Sequence, residues 1–283
     1  MKARSLTRRK ITDVIVKIFS AGAASLGIII LVWVLAEVIR RGAMAINWDF
    51  FTKRPAPPGV EGGGMGAAIL GTLIMIGLGS LIAVPVGMMA GIFLSEFDRD
   101  GRFGAFIRFS TNVMMGIPSI IVGLFVYTLI VLPMGRFSGI AGAAAMAVLM
   151  LPVVCRTAED MLGMVSNSQR EAAMALGAAR WKVTTSVVFR AAKGGLITGV
   201  MLAVARVSGE TAPLLFTALN SPYWPKNLHS PMSNMTVTIF NYAMSPYEQW
   251  QQMAWGASLL ITVGVLGATL SARLIFRRSA THG

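Results

Sequence analysis

The sequence predicts an all-α polytopic membrane protein with six transmembrane helices. Residues of the AVILMFWYC set make up 55% of the 283 residues, and charged residues make up 13%, which is about half the charged share of an average soluble domain. The mean hydropathy is +0.67. A soluble domain of this length has too small an interior for so much apolar surface, so the composition favours a membrane protein.

Six apolar stretches are long enough, or nearly so, for a spanning helix, which needs about 20 residues. These predicted spans cover residues 18–39, 65–94, 111–132, 139–154, 194–219 and 253–276. The chain then divides into a basic tail (1–17), a first helix (18–39), an external linker (40–64), a membrane core (65–276) and a second tail (277–283). The first stretch is about twice as long as the apolar part of a signal peptide, so we expect it to be retained as an anchor.

The basic residues predict the orientation. A net charge of +13 would suggest nucleic-acid binding in a soluble protein, but cytoplasmic loops of membrane proteins also retain lysine and arginine. With a cytoplasmic N-terminus, 18 of the 25 basic residues lie inside and six lie outside. This asymmetry predicts an N-in, C-in topology with two cytoplasmic tails. The remaining basic residue, Arg206, falls within the fifth span.

The longest predicted cytoplasmic connection covers residues 155–193 and is rich in helix formers. Ser168 and Glu171 have the spacing of a capping box, which predicts the start of a helix. Gly177 stands where a left-handed residue would end that helix after about two turns, and a second helix would begin within 178–189. Small alanines leave a slim surface that fits a groove of another protein. The alternative is a helix pair that packs only on its own membrane domain.

The fifth predicted span contains a charged pair, Arg206 and Glu210. Charges inside a membrane are retained mainly where they face a bundle interior or a water-filled path. Residues four apart share one helix face, so the two are expected to pair, and Ser208 and Thr211 place hydroxyls nearby. Pro213 removes one helical hydrogen bond. Two interpretations remain: an anion path, because guanidinium suits an oxyanion, or a purely structural bridge.

The sequence does not favour a metal centre, a nucleotide site or a catalytic site. Cys155 is the single cysteine, the histidines are His229 and His282, and no GK[ST] sequence occurs. A metal centre would need several such ligands, and a phosphate-cradling loop would need the missing motif. We therefore expect no catalytic residue, no metal and no cofactor bound by this chain. A membrane enzyme is the less favoured class.

Two segments carry a resemblance to a known family. Glu171-Ala172-Ala173-x-x-x-Gly177, in a cytoplasmic connection before the last two spans, resembles the EAA loop of ABC importer permeases. Residues 205–219 closely resemble the fifth span of permeases of phosphate-specific ABC importers of the PstA type. Weaker matches are residues 91–97, 116–125 and 236–255. The Leu-Pro of the general EAA pattern is replaced by Phe-Arg, as is common in this subfamily.

The resemblance implies the type I ABC importer permease fold, a bacterial inner-membrane location and three kinds of partner. These are a homologous second permease (PstC type), a cytoplasmic ATPase dimer (PstB type) and an external phosphate-binding protein (PstS type). ATP and Mg²⁺ would be bound by the ATPase, so this chain would be a transport subunit and not an enzyme. The implied coupling residues are Glu171, Ala172, Ala173 and Gly177, and the implied pathway residues are Arg206, Glu210, Ser208 and Thr211.

The predicted function is therefore import of inorganic phosphate by alternating access. One alternative is an ABC permease for another oxyanion, such as sulfate or phosphonate. Another is an ion-coupled secondary transporter that uses Arg206 and Glu210 as a relay, a class in which inverted repeats with broken helices are typical. No such repeat is recognisable in the sequence.

Overall fold

The computed structural model describes residues 6–60 and 62–277, and this part of the chain is helical and contains no strand. Residues 1–5 and 278–283 of the predicted tails, and Glu61 of the predicted linker, lie outside the described residues. The eleven helices of the described part, three of which include a π-helical turn, are α1 (Leu6–Ala45), α2 (Trp48–Thr52), α3 (Gly66–Phe97), α4 (Arg102–Gly116), α5 (Ser119–Met134), α6 (Gly139–Gly163), α7 (Asn167–Ala175), α8 (Arg180–Ser208), α9 (Ala212–Thr217), α10 (Met235–Ala243) and α11 (Glu248–Arg277).

Five of these helices are long and apolar enough to cross a membrane: α1, α3, α6, α8 and α11. The bent pair α4 and α5 passes the same test when the two are taken together, which makes up to six crossings. The predicted all-α polytopic class is confirmed.

The third predicted span, 111–132, is wrong as a continuous helix. The helix α4 ends at Gly116, α5 begins at Ser119, and the two are bent by 103°. Ile117 and Pro118 are extended, with ψ of 131° and 135°. Proline disfavours the helical conformation at the residue before it, and proline itself donates no backbone N–H. A hydropathy window does not detect this bend, because the residues on both sides of it are apolar.

The helices of the fourth and fifth predicted spans do not end where those spans end. Instead of ending at residue 154, α6 continues to Gly163, and α8 begins at Arg180 and ends at Ser208 before a break. An apolar window detects only the stretch of a helix that lipid would cover. The predicted connection 155–193 is therefore mostly the extension of two spanning helices, with α7 between them.

The core is built from small residues and methionines. The most extensive helix contact joins α3 and α6, and Met75, Met146 and Met150 are fully buried there. A Cβ on Gly87 would lie 2.9 Å from the Cβ of Val154, so the glycine permits the two helices to approach closely. Small residues at such contacts let membrane helices approach closely, and the flexible methionine side chains fill the gaps between them.

The first helix stands at one edge of the bundle. It packs against α11 near Gly42, while Ile18, Phe19 and Trp33 are 68%, 77% and 72% exposed. A helix that is apolar all round is stable in lipid or against another membrane protein. The chain alone leaves this face uncovered.

Segments predicted to be cytoplasmic meet at one end of the bundle. The side chain of Arg108, which follows α3, binds Glu159 near the end of α6. At the other end, Gln249 donates a hydrogen bond to the carbonyl of Gly62 at 3.2 Å, so the predicted external linker meets the start of α11. This grouping agrees with the predicted N-in, C-in orientation.

A substitution at Gly123 is expected to destabilise the contact between α5 and α9. A Cβ there would lie 2.6 Å from the Cα of Pro213, a backbone atom that cannot rotate away. For Gly123→Ala we expect a loss of about 1–3 kcal/mol of stability, as for other overpacked sites, measured as a lower thermal midpoint in detergent. Gly116→Ala is the matched control, because nothing lies within 4 Å of a Cβ at that position. Equal midpoints for the two variants would contradict the expectation.

Candidate translocation cavity and coupling surface

Arg206 lies in the last turn of α8, beside a break in the membrane helix. The helix ends at Ser208, and Gly209 follows in a turn in which its N–H donates to the carbonyl of Arg206 at 3.3 Å. The next helix begins at Ala212 with Pro213 in its first turn, where proline is favoured because the first N–H groups of a helix have no helical partner. Proline therefore starts a new helix here instead of weakening a continuous one.

The predicted salt bridge between Arg206 and Glu210 is absent from this conformation. Within the described residues neither side chain takes part in an ion pair or hydrogen bond. The pairing required a continuous helix, in which residues four apart share a face, and the chain leaves the helix at Ser208. Glu210 is held by its backbone instead: its carbonyl accepts a hydrogen bond from Oγ1 of Thr236 at 2.9 Å.

Arg206 and Glu210 both line a cavity of about 210 Å³. The cavity lies between the break after α8 and the bend between α4 and α5. Arg206 and Glu210 are the charged members of the described residues that line it. The other lining residues are Met114, Met115, Ile117, Pro118, Ser119, Leu149, Val153 and Val207. Two interruptions of membrane helices therefore face each other across one cavity.

The cavity has the chemistry of an oxyanion site. Arg206 is exposed in the isolated chain, and its guanidinium offers a fork of donors that binds tetrahedral oxyanions. The first N–H groups of α5, which begins at Ser119 in the cavity wall, add a favourable field for an anion. Glu210, when ionised, offers acceptors only. A ligand that satisfies both side chains must present acceptors to Arg206 and one hydroxyl to Glu210.

Ser208 and Thr211 flank the break without lining the cavity. The hydroxyl of Ser208 donates to the carbonyl of Val204 at 2.7 Å, within its own helix. Thr211 precedes α9, and its carbonyl accepts from the N–H groups of the first turn. Their place in the pathway stays a prediction.

The predicted capping box at the start of the EAA segment is wrong. The helix α7 begins two residues earlier than expected, with Ser166 at the N-cap instead of Ser168, and no side chain caps it. The hydroxyl of Ser168, inside the first turn, lies 3.1 Å from that of Ser166. Three cap-forming residues in a row made the start ambiguous, because serine and asparagine are both favoured at an N-cap. Glu171 is exposed.

The predicted left-handed end of this helix is confirmed at Gly177, which has φ of +82°. The N–H of Gly177 donates to the carbonyl of Met174 at 2.9 Å, and the N–H of Ala178 to that of Ala173 at 3.2 Å. These two bonds form a Schellman motif. The chain then turns and begins α8 at Arg180.

Three large apolar side chains at the ends of the cytoplasmic connection's helices are exposed: Met164 follows α6, Leu176 follows α7 and Trp181 lies in the first turn of α8. Met164 is 76% exposed, Leu176 is 89% exposed and Trp181 is 65% exposed, while Ala172 is also exposed. Contiguous apolar patches that are exposed outside the membrane are typical of interaction surfaces. Sequence reasoning missed Met164, Leu176 and Trp181, because isolated apolar residues in a polar connection carry no periodic signal.

Sequence reasoning also missed a buried ion pair between Arg170 of α7 and Glu96 of α3, whose closest atoms are 2.7 Å apart. The pair joins α7, which contains the EAA residues and is called the EAA helix below, to the spanning helix α3.

Known proteins similar in sequence are transport components. Residues 83–281 match the family described as binding-protein-dependent transport system inner membrane component. The chain is 42% identical to the phosphate transport system permease protein PstA of Yersinia pestis, over 92% of this chain and 88% of that protein. It is 45% identical to PstA of Haemophilus influenzae, over 89% of each, and 34% identical to a probable PstA of Methanocaldococcus jannaschii, over 91% of each.

Solved structures of similar fold are chains of ABC transporters. A chain of the inward-facing MetNI methionine ABC transporter aligns with a TM-score of 0.63 and 17% identity, over 75% of this chain and 94% of that one. A chain of a bacterial alginate ABC transporter, crystallised with a periplasmic protein that holds an alginate pentasaccharide, aligns with a TM-score of 0.63 and 14% identity, over 99% and 100%. At such identities the likeness shows the fold alone, and it confirms the predicted type I ABC importer permease fold.

Proposed function

Because this chain belongs to the family of binding-protein-dependent transport system inner membrane components, and within it to the PstA permeases, we propose that it imports inorganic phosphate as one subunit of an ATP-driven complex. It is a multi-pass inner-membrane transport component. The single observation that carries the proposed mechanism is the cavity at the break of α8, with Arg206 and Glu210 in its wall.

Phosphate satisfies both charged side chains of this cavity. Near neutral pH it carries at least one P–OH group beside its charged oxygens, whereas sulfate carries none. The hydroxyl would donate to Glu210 while the other oxygens accept from Arg206. In this role Glu210 does not oppose anion binding but favours the protonated oxyanion. Ser208 and Thr211 would approach the substrate in a conformation in which the segment between α8 and α9 rotates towards the cavity.

A second, homologous permease of the PstC type would complete the pathway. The exposure of Arg206 in the isolated chain supports this, because an intramembrane charge is retained where another helix or a water-filled path covers it. Delivery from outside would come from a PstS-type phosphate-binding protein.

A PstB-type ATPase dimer would bind a coupling surface on the cytoplasmic side. This surface would comprise Glu171, Ala172, Ala173 and Gly177 with the exposed side chains of Met164, Leu176 and Trp181. The chain would bind no cofactor itself, and ATP with Mg²⁺ would be held by that ATPase. The apolar exposure of these three side chains supports a protein partner, because the core of such interfaces is depleted in charge.

Motion would pass from the ATPase to the cavity along α8. This helix covers 29 residues, with a π-helical turn near its start, and is about 43 Å long at 1.5 Å per residue. It begins directly after the EAA turn and carries Arg206 near its other end. A displacement of the coupling surface therefore moves the cavity wall, as alternating access requires.

ATP-driven uptake of phosphate into vesicles tests the proposal. With the three partner types present, we expect labelled phosphate uptake to require both ATP on the ATPase side and the external binding protein, and to resist competition by excess sulfate. Uptake driven by an ion gradient without ATP would support the secondary-transporter alternative. Competition by sulfate would support a permease for another oxyanion.

A further inference from the structure

Glu96 and Arg170 form a buried, forked ion pair at the cytoplasmic end of the bundle. Nε of Arg170 lies 3.1 Å from Oε2 of Glu96, and Nη2 lies 2.7 Å from Oε1. The side chain of Arg170 is only 11% exposed and that of Glu96 only 6% exposed. Two parallel bonds fix the angle between the groups as well as their distance, and burial limits screening by water.

The same guanidinium also binds the end of α6. It donates to the carbonyl of Leu162 at 2.8 Å and to the carbonyl of Val165. Carbonyls at the end of a helix lack the regular helical partner. The carbonyl of Leu162 also accepts from the N–H of Val165 at 3.2 Å, and Arg170 adds a charged donor to it. One side chain of α7 therefore holds the ends of two spanning helices, α3 and α6.

Glu96 is bound to α8 as well, through its backbone. Arg180, the first residue of α8, donates to the Glu96 carbonyl, and its guanidinium lies over the ring of Phe97 at 5.3 Å. Glu96 and Phe97 both lie in the π-helical turn over Phe93–Phe97 that ends α3, and such turns are frequent at functional sites. Glu96 is thus the residue at which α3, α7 and α8 meet.

We propose that Glu96 and Arg170 are a positioning pair that makes the EAA helix move as one body with α3 and α6, so that ATPase movement reaches the cavity. This inference rests on the proposed function. A buried ion pair is a weak source of net stability compared with apolar residues of equal size, so stability alone does not explain the arrangement. The pair specifies a fixed geometry between the coupling surface and the spanning helices.

Glu96→Gln in the complete transport complex tests the pair. The amide keeps the shape but removes the charge, so α7 loses its fixed orientation relative to α3. We expect assembly to be retained, as measured by co-purification of the partners, while phosphate taken up per ATP hydrolysed falls at least fivefold. Arg170→Lys, which keeps the charge but not the fork, should give a smaller fall.

The matched control is Asp160→Asn at the same end of the bundle. Asp160 pairs with Arg156 at 3.4 Å, but both side chains are nearly half exposed, and such pairs contribute little. A ratio in Glu96→Gln equal to that of the control, with normal wild-type uptake, would overturn the positioning role alone. Failure of both Glu96→Gln and Arg170→Lys to assemble would also overturn it in favour of a folding role. Absence of ATP-driven uptake by the wild type would instead defeat the proposed function.

Discussion

Arg206→Gln is expected to lower ATP-driven phosphate uptake severely while the complex still assembles. The variant removes the one cationic side chain in the described wall of the cavity. Hydrogen bonds to a charged group contribute about 1.5–3 kcal/mol, and each 1.4 kcal/mol is a factor of ten. We therefore expect uptake to fall by about 10- to 100-fold, measured as initial rates of labelled phosphate entry into vesicles.

Two controls separate this role from a structural one. Arg190→Gln makes the same change on the exposed cytoplasmic part of α8 and should leave uptake near the wild-type rate. Arg206→Lys keeps the charge but loses the fork of donors, so its uptake should be intermediate. Loss of co-purifying partners in Arg206→Gln would contradict the pathway role and favour a charge that only holds helices together. Such a bridge would need a partner other than Glu210, since the two do not pair in this structure.

The sequence was sufficient for properties that depend on composition and local pattern. The apolar stretches predicted the helical membrane class, a charge inside such a stretch pointed to Arg206, and the EAA segment predicted the left-handed turn at Gly177. Each of these signals lies within a short window of residues. No information about the direction of a neighbouring helix is needed for any of them.

The features that were missed depend on direction and on distant contacts. The proline at the bend and the glycine at the break were visible in the sequence, but a hydropathy window reports neither the 103° bend nor the end of α8 at Ser208. Those two interruptions create the cavity, so the cavity could not be predicted from spans alone. Glu96 and Arg170 are 74 residues apart, and only the packing of α3, α6 and α7 brings them together.

Gly177→Val is expected to uncouple ATP hydrolysis from transport. Gly177 has φ of +82°, a conformation that costs an L-residue about 1–2 kcal/mol and is especially unfavourable for a β-branched one. The valine would displace the Schellman bonds from Gly177 to Met174 and from Ala178 to Ala173. The last turn of α7 and the start of α8 would then lose their fixed relation. We expect phosphate taken up per ATP to fall about tenfold, with ATP hydrolysis itself continuing.

The control Gly177→Asn distinguishes backbone conformation from side-chain bulk. Asparagine adopts the left-handed conformation more readily than other non-glycine residues, and nothing lies within 4 Å of a Cβ at Gly177 in the isolated chain. If the turn is what matters, the asparagine variant should keep most of the coupling that the valine variant loses. Equal loss in both would show that any side chain at this point obstructs the ATPase, because the space beside Gly177 would then be filled by the partner. Normal coupling in the valine variant would contradict the role of the turn altogether.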